Sequence, residues 1–322
     1  MFKRPKMSAV KKISWIIPCY NEEVVISHTI ESILNVVENL KDYAFELIFV
    51  DDGSLDNTRS IIKSYSSKDS RVKLIGLSRN FGHQFALQSG LDFCQGAAVI
   101  VIDADLQDPP ELASEMINLW EQGYDVVYGK RVERLSESYF KRATAGIFYR
   151  VLNLLSDISI PKDTGDFRLI DRKVVHALKE MPEKARFIRG LISWAGYKQV
   201  DISYQRKKRF SGKTKYSMTK MITLALEGIT SFSSRPLRLA TIAGVISASL
   251  SFLGIVYILI VRIFTYSWVE GWATLAMATL LTSGIQLICL GILGEYIGRI
   301  YLESKARPMY FIDESLGFDE KD

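Results

Sequence analysis

Cysteine is scarce: Cys19, Cys94 and Cys289 are the three in 322 residues. Each sits in apolar sequence without metal-like spacing. That excludes a disulfide scaffold and a thiolate metal cage, and leaves three buried thiols. A reducing compartment fits such usage. Histidine is as rare, again three. His28 and His176 fall on expected helices, and His83 in "FGHQF" has no partner in sight and reads as a hydrogen-bonded structural residue. A secretory signal is not expected from the first residues either. After the basic "MFKRPKMSAVKK", the apolar "ISWIIP" is too short for a signal-peptide core and reads as a first strand. Disorder is excluded by 48% hydrophobic residues, enough to build a core. The formal net charge of +5 is a mild excess that would serve nucleic acid, anionic lipid or a phosphorylated substrate.

Charge is missing altogether from two long stretches, Leu239–Val261 and Ala273–Leu293. Each is long enough to cross about 30 Å of hydrocarbon, so two transmembrane helices are expected at about 237–261 and 272–296, within 236–298. Arg235 and Arg238 precede the first, while Arg299, Lys305 and Arg307 follow the second. The connection between them carries Arg262 and Glu270. The positive-inside bias then predicts a multi-pass protein of the cell membrane, with the soluble part and both termini cytoplasmic and 299–322 as a cytoplasmic tail. Gly244, Ala248 and Gly254, and Gly291, Gly294 and Gly298, suit close helix packing within a chain or between chains, which leaves a homo-oligomer open.

From Lys12 to about Val132 short β-rich runs alternate with helical stretches. "ISWIIPCY", "FELIFVDDGS", "VKLIGLSRN", "AAVIVIDAD" and "YDVVYGKR" read as strands. "NEEVVISHTIESILNVVENL", with acids in its first turn, reads as a helix, as do "LDNTRSIIKSYSSK", "HQFALQSGLDFCQ" and "PPELASEMINLWEQG". Continuous apolar strands in βαβα order predict an α/β fold, a parallel sheet with helices on both faces. Ligands bind such sheets beyond the carboxyl ends of the strands. There lie "PCYNEE", "VDDGS", "LSRNFG" and "DADLQD".

The last of these carries the chemistry. "VIVIDADLQDPP" runs from β-branched residues into Asp103, Asp105 and Asp108. Asp103 and Asp105 alternate around Ala104, so a turn can aim both at one point. Three acids crowded together repel unless a cation neutralises them. Oxygen ligands without His or Cys suit Mg²⁺ or Mn²⁺, which bring substrate phosphate as further ligands. Asp108, just before "PPEL", reads instead as a helix cap.

"PCYNEE", "VDDGSLDNT", "LSRNFGHQFALQSG", "DADLQDPPE" and "DTGDFRLIDRKVV", in that order, resemble the family 2 glycosyltransferases with a GT-A fold. The likeness covers nearly the whole chain. It is strongest to the dolichyl-phosphate mannose synthase branch and, with the two apolar runs, to bacterial polyprenyl-phosphate glycosyltransferases of the bactoprenol glucosyltransferase type. It implies a GT-A, Rossmann-like, mostly parallel sheet in a catalytic domain over 1–215, an interfacial helix at about 138–155 and a second at 216–235. Position by position, Pro18, Tyr20, Glu22, Val50 and Asp52 would hold the nucleoside. Asp103, Ala104, Asp105 and Gln107 would bind metal and diphosphate, with Asp103, Asp105 and Gln107 as the metal set. Arg131 would approach the sugar nucleotide or the acceptor phosphate. "RKKRFSGKTKYS" resembles a basic loop that closes over the site, with Arg209 and Lys215 on phosphate. Asp166 in "TGDFRL" departs from the mannose synthases, where this position is not acidic, and agrees with the glucosyl branch, where an Asp is proposed as catalytic base. Asp163 is the alternative base, and either acid could instead pair with Arg168 or Arg172.

The implied reaction is inverting transfer of one sugar to polyprenyl (undecaprenyl) phosphate at the cytoplasmic membrane face. The donor in the glucosyl branch is UDP-glucose, with UDP-N-acetylglucosamine or GDP-mannose as alternatives. Catalytic roles fall on Asp166, Asp105 and Arg209. A processive synthase of the same superfamily would add a QxxRW motif and more spans, and this sequence has neither. A non-catalytic membrane adaptor would have had no need of Asp52, Asp103, Asp105 and Asp166. The segments Ser138–Leu155 and Tyr216–Phe232 are basic and amphipathic and suit a lipid interface. "RKKR" at Arg206–Arg209 lacks a nucleic-acid fold around it, so no nucleic-acid partner is expected.

Overall fold

In the computed structural model, the described residues are 10–132, 164–184, 186–206, 233–265 and 271–318. The chain separates into two compact units, the first containing the sheet and the C-terminal residues from Arg307, the second the long apolar helices.

The first unit begins β1 (Lys11–Cys19), α1 (Ile26–Glu38), β2 (Tyr43–Asp51), α2 (Thr58–Ser66), β3 (Val72–Leu77), α3 (His83–Phe93) and β4 (Ala98–Val101). A 3₁₀ turn at Pro110–Leu112 leads into α4 (Ala113–Glu121), followed by β5 (Val126–Arg131). Then come β6 (Thr164–Asp171), α5 (Arg172–Glu180), α6 (Ile188–Trp194), β7 (Gln199–Tyr204) and, after the apolar helices, β8 (Ile312–Leu316). The order across the sheet is β7-β5-β6-β4-β1-β2-β3-β8. β1 pairs in parallel with β2 and β4, and β2 with β3, as the βαβ pattern requires. β1 is buried on both faces: Ile13, Trp15 and Ile17 join the α1 residues Ile26, Ile30 and Ile33 in one core, while Ile16 between them is equally buried. A sheet covered twice has no polar face, which is why its strands read as continuous apolar runs.

Two strands depart from the all-parallel expectation. β6 runs antiparallel between β4 and β5, and β8 runs antiparallel along β3. The sheet is mostly parallel all the same. The stretch 312–316, placed by sequence in a tail after the second span, thus becomes an edge strand. Asp313 pairs with Arg59 at 2.7 Å and Glu314 with Lys63 at 2.6 Å. Glu22 and Glu23, expected in the first turn of α1, lie in the loop before it, since the helix starts at Ile26.

The second unit contains α7 (Arg235–Thr265) and α8 (Trp272–Ser304). The spans Arg235–Val261 and Met277–Ser304 have mean hydropathy 2.3 and 1.8, long and apolar enough to cross a membrane. Large apolar side chains on them are bare, Leu250 at 64% exposed and Leu287 at 68%, which water would penalise and hydrocarbon would not. Cys289 Sγ of α8 donates to Ala240 O of α7 at 3.5 Å, and Tyr296 Oη of α8 donates at 2.6 Å to Ser233 O, just before α7. Cys19 and Cys94 are buried thiols as expected, whereas Cys289 is half-buried, because it sits on a helix with little protein around it. The expected interfacial helix at 138–155, most of the one at 216–235, Asp163, Arg209 and Lys215 lie outside the described residues.

Candidate active site

The strand register brings the first two motifs side by side. Pro18 pairs with Val50 and Cys19 with Asp51, so "PCYNEE" and "VDDGS" leave the sheet together. They are laced by their own backbone. Asn21 N–H donates to Ser54 Oγ at 2.9 Å, and Leu55 N–H to Asn21 Oδ1 at 2.8 Å. Glu22 N–H donates to Thr58 Oγ1 at 2.8 Å, and Glu23 N–H to Asp56 Oδ2 at 3.1 Å. The third loop closes on them at Gly53. Its φ is +68°, and a Cβ there would stand 2.4 Å from the carbonyl carbon of Arg79, so no other residue fits. Asp52 is 3% exposed and accepts from Phe81 N–H at 2.8 Å and Gly82 N–H at 3.0 Å. Burial pushes its carboxyl above the usual range despite those two donors. Pro18 and Val50 are buried, and Tyr20 and Glu22 half-buried at the same strand ends.

β4 delivers the acids next to this cradle. Thr29 Oγ1 of α1 donates to Ala104 O at 2.7 Å, pinning the turn between Asp103 and Asp105. Leu106 has φ 55°, a left-handed conformation that costs a branched side chain about 1–3 kcal/mol and recurs where a site dictates the backbone. Gln107 N–H donates to Asp105 Oδ1 at 3.2 Å. Asp108 does not cap the following helix. Pro109 occupies the cap position of the 3₁₀ turn without a side-chain bond. Asp108 is instead fully buried, bonded by Tyr204 Oη, with Arg131 Nη2 at 3.6 Å and Arg206 Nε at 3.7 Å. Arg131 Nε also donates to Tyr204 Oη at 3.3 Å. Gly165 makes room for this, since a Cβ there would meet Arg131 Nη2 at 2.4 Å. Burial and the Asp108 charge push the Tyr204 hydroxyl well up, so it stays protonated as a donor.

β6 completes the site from the other side. Its last pairing with β4 is Val101 with Arg168, so two residues further lie Asp103 on one strand and Asp166 on the other. His83 Nε2, at the start of α3, is 3.1 Å from Asp166 Oδ2 and 3.8 Å from Asp103 Oδ1. Arg189 of α6 holds Asp166 with Nε at 2.7 Å from Oδ1 and Nη2 at 3.3 Å from Oδ2. Burial alone would raise the Asp166 pKa, but Arg189 and then His83 outweigh it and hold the carboxyl far below the usual range. His83 moves the other way. Burial opposes its charge, and Asp166 with Asp103 overcomes this and lifts it to about 9. Asp103 is raised, first by burial and then by the neighbouring acids Asp166, Asp108 and Asp105, with His83 opposing.

The alternative in which Asp166 pairs with Arg168 or Arg172 does not hold among the described residues, where Arg189 and His83 take its oxygens. Arg168 is buried with Nη2 on Gly165 O at 2.8 Å, and burial lowers its pKa to about 10. Arg172 Nη1 bonds Cys94 O. Sequence reasoning missed His83 and Arg189 as members of the site. His83 is hydrogen-bonded, as read, but to a site carboxylate. A lone His and an Arg outside any motif carry no local signal, and the pairing of β6 beside β4 is what assembles them.

The site also fits a divalent metal. Asp103 and Asp105 are hard oxygen donors at a strand end, where Asp108 and Asp166 add further negative charge. Among the described residues no three His, Cys, Asp or Glu side chains form a closed cage. Two carboxylates that leave coordination positions for substrate phosphate and water are the usual Mg²⁺ arrangement.

A family model described as glycosyl transferase family 2 matches residues 14–179, and one described as the GtrB C-terminal hairpin matches residues 235–300. The chain is 49% identical over 315 residues to YkcC, an uncharacterized glycosyltransferase of Bacillus subtilis strain 168, covering 98% of this chain and 97% of that one. It is 43% identical over 301 residues to the bactoprenol glucosyl transferase of Shigella phage SfX, covering 94% and 98%. A prophage bactoprenol glucosyl transferase homolog of Escherichia coli K12 is 42% identical, with the same coverage. The chain belongs to glycosyl transferase family 2 and is a glycosyltransferase with a GtrB-type C-terminal hairpin.

Proposed function

We propose that the protein transfers a single glucose from UDP-glucose to polyprenyl phosphate, with inversion, at the cytoplasmic face of the membrane. The observation that carries this reading is the juxtaposition of the Asp103–Asp105 turn, the Asp52 cradle and Asp166 at one end of a sheet, in a chain with two apolar helices. Likeness to the bactoprenol glucosyl transferases supports the acceptor and the sugar.

Asp52, fixed by two backbone donors, faces the nucleoside together with Pro18, Tyr20, Glu22 and Val50. Asp103 and Asp105, with Gln107, would hold Mg²⁺ or Mn²⁺, which when bound would supply Lewis-acid stabilisation of the charge on the leaving nucleotide. Arg131, steadied by Tyr204 and Asp108, adds a cation for the diphosphate or the acceptor phosphate. Arg209 and Lys215 serve the same charge from the basic loop. The acceptor is a phosphate monoester whose second pKa is about 6, so it arrives ionised and needs little help from a base. Asp166, doubly bonded by Arg189 and His83, is accordingly a poor proton acceptor and a good fixed anion beside the anomeric carbon. The two apolar helices anchor the chain where a lipid phosphate is met, both termini lying on the cytoplasmic side.

A donor panel tests this. Purified protein with undecaprenyl phosphate and Mg²⁺ is offered UDP-glucose, UDP-N-acetylglucosamine and GDP-mannose, each labelled in the sugar. Label entering the lipid phase from UDP-glucose, with a β-anomeric product, is expected. Preference for another donor corrects the sugar, and an α-anomer excludes single displacement.

A further inference from the structure

Arg189 lies in no motif, yet it makes the closest contact to Asp166. We propose that Arg189 is a positioning residue for the transfer, fixing the orientation of the Asp166 carboxylate. The proposal rests on the transfer reading given above.

Nε and Nη2 of Arg189 reach both oxygens of Asp166, at 2.7 Å and 3.3 Å. Nη2 donates to Oδ2, and Nε stands beside Oδ1 as an ion-pair contact, so the guanidinium bears on both oxygens and limits how the acid can turn. His83 Nε2 stands 3.1 Å from the same Oδ2, so rotation of the carboxylate would disturb three contacts at once. Arg189 is itself held. Its Nη1 donates to Thr164 O at 2.9 Å, at the start of the strand that carries Asp166. Ile188 N–H donates to Gln84 Oε1 at 3.0 Å, tying α6 to the residue next to His83. Arg186 is 8% exposed and donates to Leu178 O at 2.7 Å, Met181 O at 2.6 Å and Gln88 Oε1 at 3.2 Å. Such bracing is out of proportion to a surface ion pair. It is what a reacting site needs when displacement by about 1 Å can cost about 10²-fold in rate.

The test compares wild type, Arg189→Gln, Arg189→Lys, Asp166→Asn and the Arg189→Gln/Asp166→Asn pair. The full-length protein is assayed for sugar transfer to undecaprenyl phosphate, with UDP binding measured alongside by calorimetry. Arg189→Gln is expected to lower kcat about 10²-fold with the donor KM and UDP affinity within about twofold, since uniform binding is untouched. Arg189→Lys, which keeps the charge but loses the second point of contact, recovers part of kcat. The paired variant is no slower than Asp166→Asn, because Arg189 acts through that residue. Unchanged kcat in Arg189→Gln, a loss that multiplies with that of Asp166→Asn, or a rise in KM alone would each overturn the proposal. If Arg189→Gln also loses UDP binding, its fold is at fault and Arg189→Lys decides: full wild-type kcat there overturns the proposal, and a reduced kcat with intact UDP binding upholds it. Wild type that binds UDP and transfers from no donor brings down the transfer reading, and this proposal with it.

Discussion

His83 Nε2 stands 3.1 Å from Asp166 Oδ2, joining the first residue of α3 to a carboxylate 83 positions later. The pairing sets up an alternation of charge, with Asp103 and Asp166 separated by His83 and Asp166 backed by Arg189. The imidazole thereby offsets the repulsion between buried Asp166 and half-buried Asp103. Removing the imidazole removes a charge-assisted hydrogen bond worth about 1.5–3 kcal/mol. His83→Ala is therefore expected to lower kcat by about 10–100-fold, with UDP affinity retained through Asp52. Steady-state transfer rates and UDP calorimetry on the same preparation check both halves.

Tyr204 is the hinge of the second cluster, bonded to Asp108 and receiving Arg131 Nε. Tyr204→Phe leaves a fully buried Asp108 short of its best donor, which costs about 1–3 kcal/mol. It also frees Arg131. The expected outcome is a lower Tm and a raised donor KM, with a smaller change in kcat. Thermal unfolding and donor titration measure these separately.

Glu46 gives the sheet an acid-sensitive joint away from the site. It is 2% exposed and accepts from Ser14 Oγ at 2.5 Å, Gln95 N–H at 2.7 Å and Lys73 Nζ at 2.9 Å. Burial raises its pKa, but these partners outweigh burial and hold it below the usual value. A carboxyl lowered on folding stabilises fully above its unfolded pKa of about 4.3, and that contribution is lost as pH falls through the folded value. Glu46→Gln turns an amide N–H₂ toward Lys73 and should cost about 2 kcal/mol at neutral pH. The Tm gap between wild type and variant should close below about pH 4. A gap that stays constant with pH would contradict the ionic account.

The C-terminal strand should matter to nucleotide binding. Ser78 N–H donates to Phe311 O at 3.0 Å, and Tyr310 Oη donates to Asp92 Oδ2 at 2.7 Å. The Phe311 ring sits 6.3 Å from that of Phe81, whose N–H holds Asp52. A chain ending at Pro308 exposes the edge of β3 and loosens the Phe81–Gly82 turn. Its UDP affinity is expected to fall about tenfold, or about 1.4 kcal/mol. Tyr310→Phe, losing one hydrogen bond, should fall less.

Much of this architecture is written locally. β1 to β4 are apolar runs with turn residues after them, and the two apolar helices announce themselves by missing charge. β6 does not, because "TGDFRLID" mixes Asp166 and Arg168 into a strand that is buried for its site. β8 has Ile312 and Leu316 around Asp313, Glu314 and Ser315, the charged composition of a protected edge. Asp103 and Asp105 fall where the sequence puts them, just after a strand, and Asp52, whose role the resemblance implies, directly follows β2. Asp108 was misread as a cap, since its partners Tyr204 and Arg131 are distant in sequence. Arg189 reaches the site only through tertiary pairing.

The most direct measurement is the transfer of labelled glucose from UDP-glucose into extracted lipid in the presence of undecaprenyl phosphate and Mg²⁺, run beside Asp103→Ala and beside a chelator. The account predicts label in the lipid phase for the wild type and a fall of about 10³-fold in the variant, as expected when the support of the leaving diphosphate is removed. It also predicts loss of transfer with the chelator and recovery on adding the metal back. Transfer that persists undiminished in Asp103→Ala, or a wild type that binds UDP yet never labels the lipid, would contradict it.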